Sequence, residues 1–247
     1  MPDERLVLAH GFTQTARSWS TIEALLAERR PDFDALALDL AGHGDAAEVR
    51  HDLPQAADDL VARGGDGTYV GYSMGGRVAL HAALAHPGAV RRLVLIGATA
   101  GIDDEEGRAE RRRHDQELAD RVVRLSIAAF VDEWLDQPLF AGLTEETCQR
   151  DDRLRNTPAG LASSLRLCGT GTQRPLWDRL GELTCPTLVL VGERDPKFRA
   201  IGERLAEGIA DARLEVVAGA GHSVHLERPA ATVDALLGFL DGAATAG

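Results

Sequence analysis

The stretch Gly71-Tyr72-Ser73-Met74-Gly75 has the pattern G-x-S-x-G, and its place in the chain decides the fold. It joins an apolar run, Thr68–Gly71, to a helical pattern, Gly75–Ala85, so we predict a sharp turn from a buried strand into a helix. Such a turn strains the serine backbone and exposes its hydroxyl above the sheet, while the small glycines let neighbouring backbones approach. The motif therefore predicts a reactive serine, Ser73, at the end of a strand.

A serine hydroxyl needs a base, so the motif predicts a histidine later in the chain and an acid between the two. His222 follows the last predicted strand, and Asp195 follows the strand before it. We predict that Ser73, Asp195 and His222, in this order, are the catalytic residues. Glu193 stays open as an alternative acid, because loop geometry is not visible in a sequence. We assign His225 to packing or to the surface.

Two backbone N–H groups are candidates for an oxyanion hole. Phe12 lies just after the first predicted strand, in His10-Gly11-Phe12, and Met74 directly follows the serine. In folds with a strand-to-helix serine these two positions supply the donors. We interpret the segment from Asp39 to Gly44, after the second predicted strand, as a tight turn with a helix-capping role.

Short apolar runs alternate with helical patterns, as a parallel sheet with crossover helices requires. The predicted strands are Leu6–Ala9, Ala35–Leu38, Thr68–Gly71, Leu93–Gly97, Thr187–Val191 and Leu214–Val217. The predicted helices beside them are Trp19–Glu28, Asp52–Arg63, Gly75–Ala85, Ala200–Ile209 and Ala230–Leu240. We expect the tail Asp241–Gly247 to fray.

The alternation stops between residues 102 and 180, where only charged helical segments occur. These segments are Glu105–Leu125, Ile127–Leu135, Thr144–Leu154 and Ala159–Leu167. We therefore predict a mostly parallel, doubly wound α/β sheet built from residues 1–100 and 181–247. Residues 101–180 are predicted to form a helical cap over the carboxyl ends of the strands, where such sheets bind ligands.

The charge balance excludes two classes of partner. The 247 residues include 27 Lys and Arg against 39 Asp and Glu, a formal charge of −12. This balance argues against nucleic acid and against a polybasic membrane surface. The only lysine is Lys197, so nearly every fixed cation is an arginine that can bind a carboxylate through two hydrogen bonds.

The three cysteines, Cys148, Cys168 and Cys185, form no C-x-x-C pair. An odd number of isolated cysteines predicts a reducing compartment and no zinc site. The N-terminal residues lack the order of a signal peptide, and no apolar run approaches the roughly 18 residues of a membrane span. We therefore predict a cytoplasmic protein without a metal; oligomeric state is not predicted.

Six fragments, in order, resemble one enzyme family. They are Gly71-Tyr72-Ser73-Met74-Gly75-Gly76-Arg77, Arg108-Ala109-Glu110-Arg111, Trp134 with Gln137-Pro138-Leu139-Phe140, Leu154-Arg155-Asn156, Gly192-Glu193-Arg194-Asp195-Pro196-Lys197-Phe198 and Gly221-His222-Ser223-Val224-His225. The chain resembles the α/β-hydrolase superfamily over nearly its whole length. Within that superfamily it is similar to the 2-succinyl-6-hydroxy-2,4-cyclohexadiene-1-carboxylate synthases of menaquinone biosynthesis. The resemblance implies an α/β-hydrolase fold and a Ser-His-Asp catalytic triad.

The resemblance also implies a substrate pocket. Arg77, Arg111 and Arg155 would face the substrate, and Tyr72 and Trp134 would line the pocket. The family's substrate carries three carboxylates, so a pocket for it needs several fixed cations despite the negative net charge. Arg77 lies about one helical turn after the serine, which keeps it near the predicted nucleophile.

The implied activity is that of a carbon–oxygen lyase without a cofactor. It would eliminate pyruvate from 2-succinyl-5-enolpyruvyl-6-hydroxy-3-cyclohexene-1-carboxylate, a small anionic substrate, with Ser73 as general base. The same residues would equally serve a serine hydrolase of an ester, lactone or carbon–carbon ketone, with Ser73 as nucleophile. A binding protein of this fold that has lost catalysis is disfavoured, because the triad positions and His10-Gly11-Phe12 are all present.

Overall fold

Six parallel strands form one sheet in the computed structural model, which describes residues 4–244. The strands are β1 (Glu4–Ala9), β2 (Phe33–Leu38), β3 (Gly67–Tyr72), β4 (Val90–Ile96), β5 (Thr187–Gly192) and β6 (Ala212–Val217). Their order across the sheet is β2-β1-β3-β4-β5-β6, and every neighbouring pair is parallel. The predicted doubly wound sheet is confirmed, and each predicted strand overlaps one of these six.

The burial of the strands follows their place in the sheet. β3 and β5, which have neighbours on both sides, are buried at every residue. The edge strand β2 is mostly half-buried, and the edge strand β6 has half-buried and exposed positions and one buried residue. A central parallel strand is covered by helices on both faces, so it carries a continuous run of small and apolar residues rather than an alternating pattern.

Helices cover both faces of the sheet. They are α1 (Ser20–Arg29), α2 (Leu53–Gly64), α3 (Met74–Ala85), α8 (Pro196–Gly208), a short α9 (Val224–Glu227) and α10 (Pro229–Ala244). One apolar cluster joins α2, α3 and α8 to one face of the sheet, and another joins α1 and α10 to the other. The chain thus buries both faces of the sheet, as its apolar strands require.

The sheet order places a ligand crevice between β1 and β3. From β1 the chain crosses to β2 on one side, and from β3 it continues to β4 on the other side. In open parallel sheets, ligands bind outside the carboxyl ends of the strands where the order reverses in this way. Both the turn after β1 and the turn at Ser73 lie at this point.

The segment between β4 and β5 contains the remaining helices. They are α4 (Glu105–Arg124), α5 (Ile127–Leu135), α6 (Arg150–Arg153) and α7 (Pro158–Cys168). A separate small apolar cluster, which includes Val122, Phe130 and Leu161, holds α4, α5 and α7 together. Phe12, which follows β1, packs against this cluster. We call this segment the cap; its boundaries at residues 101 and 180 stay a prediction.

Two of the predicted elements differ from the structure. The helix predicted over Thr144–Leu154 is reduced to α6, because Gln149 adopts a left-handed backbone (φ 52°) that a continuous helix cannot contain. The predicted fraying of Asp241–Gly247 is wrong for the first part, since α10 continues to Ala244. Residues 1–3 and 245–247 lie outside the described residues.

Several short elements were not predicted. Single 3₁₀ turns occur at Ala16–Trp19, Gly44–Ala46 and Pro138–Phe140, and a longer 3₁₀ segment at Trp177–Glu182. Runs this short give too few residues for a periodic pattern. No helix between residues 4 and 244 is both long enough and apolar enough to cross a membrane.

Candidate active site

Ser73 occupies a strained turn between β3 and α3. Its φ is 51° and its ψ −107°, a conformation that residues with a Cβ rarely adopt. A Cβ on Gly71 would lie 2.4 Å from the carbonyl oxygen of Gly75, and one on Gly75 would lie 2.2 Å from that of Ala9. Glycine at both positions is therefore what lets the chain turn here, as the motif predicts.

His222 and Asp195 extend from Ser73 in a line. Nε2 of His222 lies 3.4 Å from the Ser73 Oγ, and its Nδ1 lies 2.9 Å from an oxygen of Asp195. Because an ionised carboxylate can only accept, we assign the ring proton to Nδ1. Nε2 is then free to accept the serine proton. The structure thus brings together the three residues that the sequence order predicts.

Asp195 is fixed by the helix that it caps. Its second oxygen accepts the N–H of Phe198 at 3.1 Å, and Pro196 is the first residue of α8. Burial would raise the pKa of Asp195, but the hydrogen bonds from His222 and from the Phe198 N–H hold that pKa below its usual value. The acid therefore stays ionised and can orient the imidazole.

The loop that carries His222 is held by Glu227. The backbone N–H groups on either side of His222 donate to the Glu227 carboxylate at 2.7 and 3.1 Å. The imidazole packs against the rings of Phe198 and Tyr72, with centroids 4.3 and 5.3 Å away. The base is thus positioned by contacts on several sides, and Glu227 was not identified from the sequence.

The other candidate acid and histidine lie elsewhere. Glu193 accepts the N–H of Gly219 at 2.8 Å, and the carboxylate paired with His222 is that of Asp195. His225 is buried between the rings of Trp19 and Tyr72. Burial lowers the pKa of His225 to about 3, so this ring is neutral. The assignment of His225 to packing agrees with its position.

The N–H groups of Phe12 and Met74 are available to a ligand. Within residues 4–244, neither group donates a hydrogen bond to the protein. The turn after β1 is held by the buried His10: the Leu40 N–H donates to its Nε2 at 3.0 Å, so its Nδ1–H donates to the Gly11 carbonyl at 2.8 Å. Phe12 and Met74 line the same cavity as Ser73.

Aromatic side chains form one wall of this cavity. Trp134 from the cap contacts the ring of Phe12 at a centroid distance of 5.0 Å and that of Phe140 at 5.6 Å. Tyr72 lies beside Ser73, and its hydroxyl is 2.8 Å from the hydroxyl of Ser223. The predicted lining residues Tyr72 and Trp134 are both at the cavity.

Four cations line the cavity among the described residues: Arg77, Arg111, Arg153 and Lys197. Arg77 is buried and donates to the Cys168 carbonyl at 2.7 Å. Burial, helped by the nearby charge of Arg111, lowers the pKa of Arg77 to about 10, so the guanidinium is still charged near neutral pH.

Two of these cations differ in their partners. Arg111 pairs with Asp115 at 2.7 Å and is 38% exposed. Arg153 is 1% exposed; it donates to the Cys148 carbonyl at 2.8 Å and to the Thr13 hydroxyl, whereas its Nη2 has no protein partner within residues 4–244. A buried guanidinium without a facing carboxylate is costly, which favours an anionic ligand beside it.

Arg155 lies outside the cavity, contrary to the prediction. Its guanidinium is 37% exposed and lies 3.8 Å from Asp45 and 3.9 Å from Asp152. Arg153 and Arg155 are two residues apart across the end of a helical turn, so their side chains project to different sides. The cap therefore contributes Arg153 rather than Arg155 to the cavity.

Three charged lining residues were not identified from the sequence. Lys197 belongs to the fragment that follows Asp195, and as the only lysine of the chain it was a signal that could have been used. Arg153 and Asp115 stand among many charged cap residues and carry no distinguishing signal. No group of three or more His, Cys, Asp or Glu residues between 4 and 244 is arranged to hold a metal ion.

Known proteins are similar to this chain over nearly its whole length. The model of the alpha/beta hydrolase family matches residues 6–235. A Bacillus subtilis protein, provisionally named 2-succinyl-6-hydroxy-2,4-cyclohexadiene-1-carboxylate synthase, is 37% identical over 92% of this chain and 86% of its own. The protein of that name from Citrobacter koseri is 36% identical over 95% of this chain and 93% of its own.

A solved structure is similar to this chain over nearly its whole length as well. The structure of MenH from S. aureus superposes with a TM-score of 0.90 and 30% sequence identity. The superposition covers 98% of this chain and 95% of the S. aureus chain. The sheet, the cap and the site described above therefore lie within a region shared with that protein.

Proposed function

This chain belongs to the α/β-hydrolase family, and on that premise we propose that it is a lyase that eliminates pyruvate from 2-succinyl-5-enolpyruvyl-6-hydroxy-3-cyclohexene-1-carboxylate. The product would be 2-succinyl-6-hydroxy-2,4-cyclohexadiene-1-carboxylate, the compound for which its curated relatives are named. The proposed role is a step of menaquinone biosynthesis that needs no cofactor.

The observation that carries this proposal is the charge of the cavity. Arg77, Arg111, Arg153 and Lys197 line it, while Asp115 is the one acid among its described lining residues, and Arg111 already pairs with Asp115. A protein with a net charge of −12 thus concentrates positive charge beside Ser73. Carboxylates are the groups that such a cavity binds best, and the proposed substrate carries three.

The proton-transfer geometry supports a serine that acts as general base. Ser73 would give its proton to Nε2 of His222, 3.4 Å away, while Asp195 stabilises the imidazolium. The serine oxygen would then remove the proton that the succinyl carbonyl makes acidic. As pyruvate leaves, the proton held by His222 is available to the departing group, and the ring diene forms.

Negative charge develops on the succinyl carbonyl oxygen during this proton removal. The free N–H groups of Phe12 and Met74 are positioned to stabilise it. One such donor commonly contributes about 3–4 kcal/mol to the stability of a transition state. The cations would hold the carboxylates and so fix the acidic proton near Ser73.

A serine hydrolase would use the same residues. In that case the Ser73 oxygen attacks an ester, lactone or ketone carbonyl and forms an acyl enzyme, and the same two N–H groups stabilise the tetrahedral intermediate. The hydrolase does not require several cations in the cavity, and for this reason we place it second.

The experiment is a pyruvate-release assay with the purified protein, in which lactate dehydrogenase consumes the pyruvate and NADH absorbance falls. We expect rapid pyruvate release from the tricarboxylate and only slow hydrolysis of a neutral ester. Hydrolysis of esters without pyruvate release would reject the lyase in favour of the hydrolase.

We also propose that the protein works in the cytoplasm. All three cysteines lie within the described residues and are free thiols, which a reducing compartment favours. Cys168 and Cys185 are buried, and burial raises the pKa of both thiols, which disfavours the reactive thiolate form.

A further inference from the structure

The turn that carries the Phe12 N–H is bonded to the cap. The carbonyl of Thr13 accepts from Nδ2 of Asn156 at 2.6 Å, and the Thr13 hydroxyl accepts from Nη1 of Arg153. Thr13 is 0% exposed, Arg153 1% and Asn156 4%. Hydrogen bonds this far from water fix the atoms they join more firmly than surface contacts do.

A neighbouring residue of the turn is held in the same way. The N–H and the hydroxyl of Thr15 both donate to the carboxylate of Asp152, at 3.1 and 2.6 Å. Asn156 is itself fixed, because its Oδ1 accepts the N–H of Gly44 at 3.0 Å. We call the three cap residues Asp152, Arg153 and Asn156 the cap clasp.

The turn needs such support because its backbone is strained. The N–H of Gln14 donates to the carbonyl of Gly11 at 3.2 Å, which closes a four-residue turn with Phe12 and Thr13 at its centre. Thr13 has a φ of 69°. A positive φ at this position normally requires Gly or Asn, and a β-branched residue adopts it only when its surroundings impose it.

The clasp bonds end on the strained residue and on the residue two positions after it. Asn156 and Arg153 hold Thr13 itself, and Asp152 holds Thr15 two residues later. The Gly11 carbonyl and the Phe12 N–H belong to one peptide plane, and the turn bond from the Gln14 N–H holds that carbonyl. A relaxation of the Thr13 backbone that loosens this bond therefore frees the peptide that carries the Phe12 N–H. The rings of Trp134 and Phe130 also pack on the Phe12 ring, but among the described residues every hydrogen bond from residues 101–180 to residues 11–15 comes from the clasp.

We propose that the cap clasp positions the Phe12 N–H, so that the cap completes the oxyanion hole of the core. This inference rests on the oxyanion role given to Phe12 in the proposed function. Asp152 and Asn156 are then positioning residues that act on the reaction through the turn, and Arg153 does so in addition to lining the cavity. The cap consequently contributes to the chemical step as well as to substrate binding.

The test variant is Asn156→Asp, which keeps the size of the side chain. One carboxylate oxygen can still accept the Gly44 N–H, while the other replaces the amide donor and repels the Thr13 carbonyl. We expect kcat for pyruvate release to fall at least tenfold while KM changes less than threefold, because the lost interaction forms only in the transition state.

A second readout does not depend on the identity of the substrate. Phenylboronic acid forms a tetrahedral adduct with a reactive serine and places an oxygen where the oxyanion would lie. We expect its dissociation constant to rise at least fivefold in Asn156→Asp. This binding reports on the oxyanion hole even if the protein releases no pyruvate, so failure of the clasp and failure of the lyase proposal are distinguishable.

The matched control is Thr157→Ala. Thr157 follows Asn156 and caps α7, where its hydroxyl accepts the Gly160 N–H at 3.0 Å, and it has no hydrogen bond to the turn. This variant should lower the melting temperature but leave kcat and boronate affinity within twofold of the wild type. A purely structural role of Asn156 would give the same pattern in Asn156→Asp.

Asp152→Asn supplies an independent variant if Asn156→Asp does not fold. An amide in place of the carboxylate can accept only one of the two Thr15 hydrogen bonds, so we expect a threefold to tenfold loss in kcat and in boronate affinity. Unchanged kcat and boronate affinity in the variants that fold would overturn the proposal. A loss confined to KM would overturn it as well, because it would make the clasp a substrate contact.

Discussion

The sheet core and the cap are stabilised in different ways. The core buries two large apolar clusters, one on each face of the sheet. The cap has one small cluster, and its helices are joined at the surface by ion pairs, such as Arg121 with Glu133 and Arg150 with Asp132. Exposed ion pairs contribute only about 0–1 kcal/mol each, whereas each large side chain buried in the core contributes about 1.5–3 kcal/mol.

The two regions also supply different parts of the site. Ser73, Asp195 and His222 all follow core strands, at positions that packing and tight turns determine. Arg111 and Arg153 come from cap helices, whose exposed faces tolerate many sequences. The core thus holds the reacting groups together with Arg77 and Lys197, and the cap adds Arg111 and Arg153 to the charges that line the cavity.

The largest effect should come from the core. We expect Ser73→Ala to lower kcat for pyruvate release by at least three orders of magnitude, since no other hydroxyl occupies the turn. His222→Ala should be as damaging, and the double variant hardly worse, because members of one catalytic unit are not additive. Circular dichroism should show an unchanged fold. Activity near the wild-type level would remove the serine from the mechanism.

The next largest effect should come from the cap, where two arginine variants are compared by their kcat/KM. Arg111→Gln removes a charge that lines the cavity but keeps a donor for Asp115, and it should lower kcat/KM for the tricarboxylate at least tenfold. A hydrogen bond to a charged group contributes roughly 1.5–3 kcal/mol. Arg155→Ala, outside the cavity, should change kcat/KM less than twofold.

A neutral ester provides the control for this comparison. Hydrolysis of the ester should be nearly unchanged in Arg111→Gln, because the ester has no carboxylate that Arg111 could bind. Equal losses for the ester and the tricarboxylate would show that Arg111 is structural, and the division between core and cap would fail.

A smaller effect concerns stability and pH. Burial lowers the pKa of His225 in the folded core to about 3, below its ordinary value of 6.5, so the unfolded state binds more protons between these values. The free energy of unfolding should therefore fall as pH falls below about 6.5, by up to about 1.4 kcal/mol per pH unit for this residue. Urea titrations of His225→Phe at pH 5, 6 and 7 should show a shallower dependence by that amount. An unchanged slope would mean that His225 is not buried as a neutral ring.

The smallest effects compare helix caps in the two regions. Asp52 caps α2 in the core, where it accepts the Gln55 N–H at 3.0 Å. Ser126 is the N-terminal capping residue of α5, which belongs to the segment called the cap, and its hydroxyl accepts the Ala129 N–H at 3.2 Å. Alanine at either position should cost about 1 kcal/mol of stability, measured by thermal unfolding, without changing kcat. A drop in kcat for Ser126→Ala alone would show that cap fraying reaches the site.

The core could be predicted from the sequence because several signals coincide there. The apolar run Thr187–Val191 matches β5 to within one residue, and the glycines around Ser73 could serve only a tight turn. The order of Ser73, Asp195 and His222 along the chain was enough to predict that they meet in one site. A strand that is buried on both faces of the sheet must be apolar along its length, so it is recognisable as a continuous apolar run.

The cap was predicted less well for a physical reason. Its helices are mostly charged, so a helical pattern shows that a helix exists but not which side faces the cavity. The left-handed Gln149 shortens the helix predicted over Thr144–Leu154, and the direction of each following side chain changes with it. Arg153 lines the cavity and Arg155, two residues later on another side of the helical turn, does not. The clasp to Thr13 is a tertiary contact that no local pattern reveals.

Rapid-quench single turnover with the tricarboxylate, followed by mass spectrometry of the intact protein, tests the proposed lyase most directly. If Ser73 acts as a general base, each turnover releases one pyruvate and one ring diene, and the protein keeps its unmodified mass at every time point. An added acyl mass that appears and disappears at the turnover rate, and that is absent in Ser73→Ala, would instead make Ser73 a nucleophile and the protein a serine hydrolase.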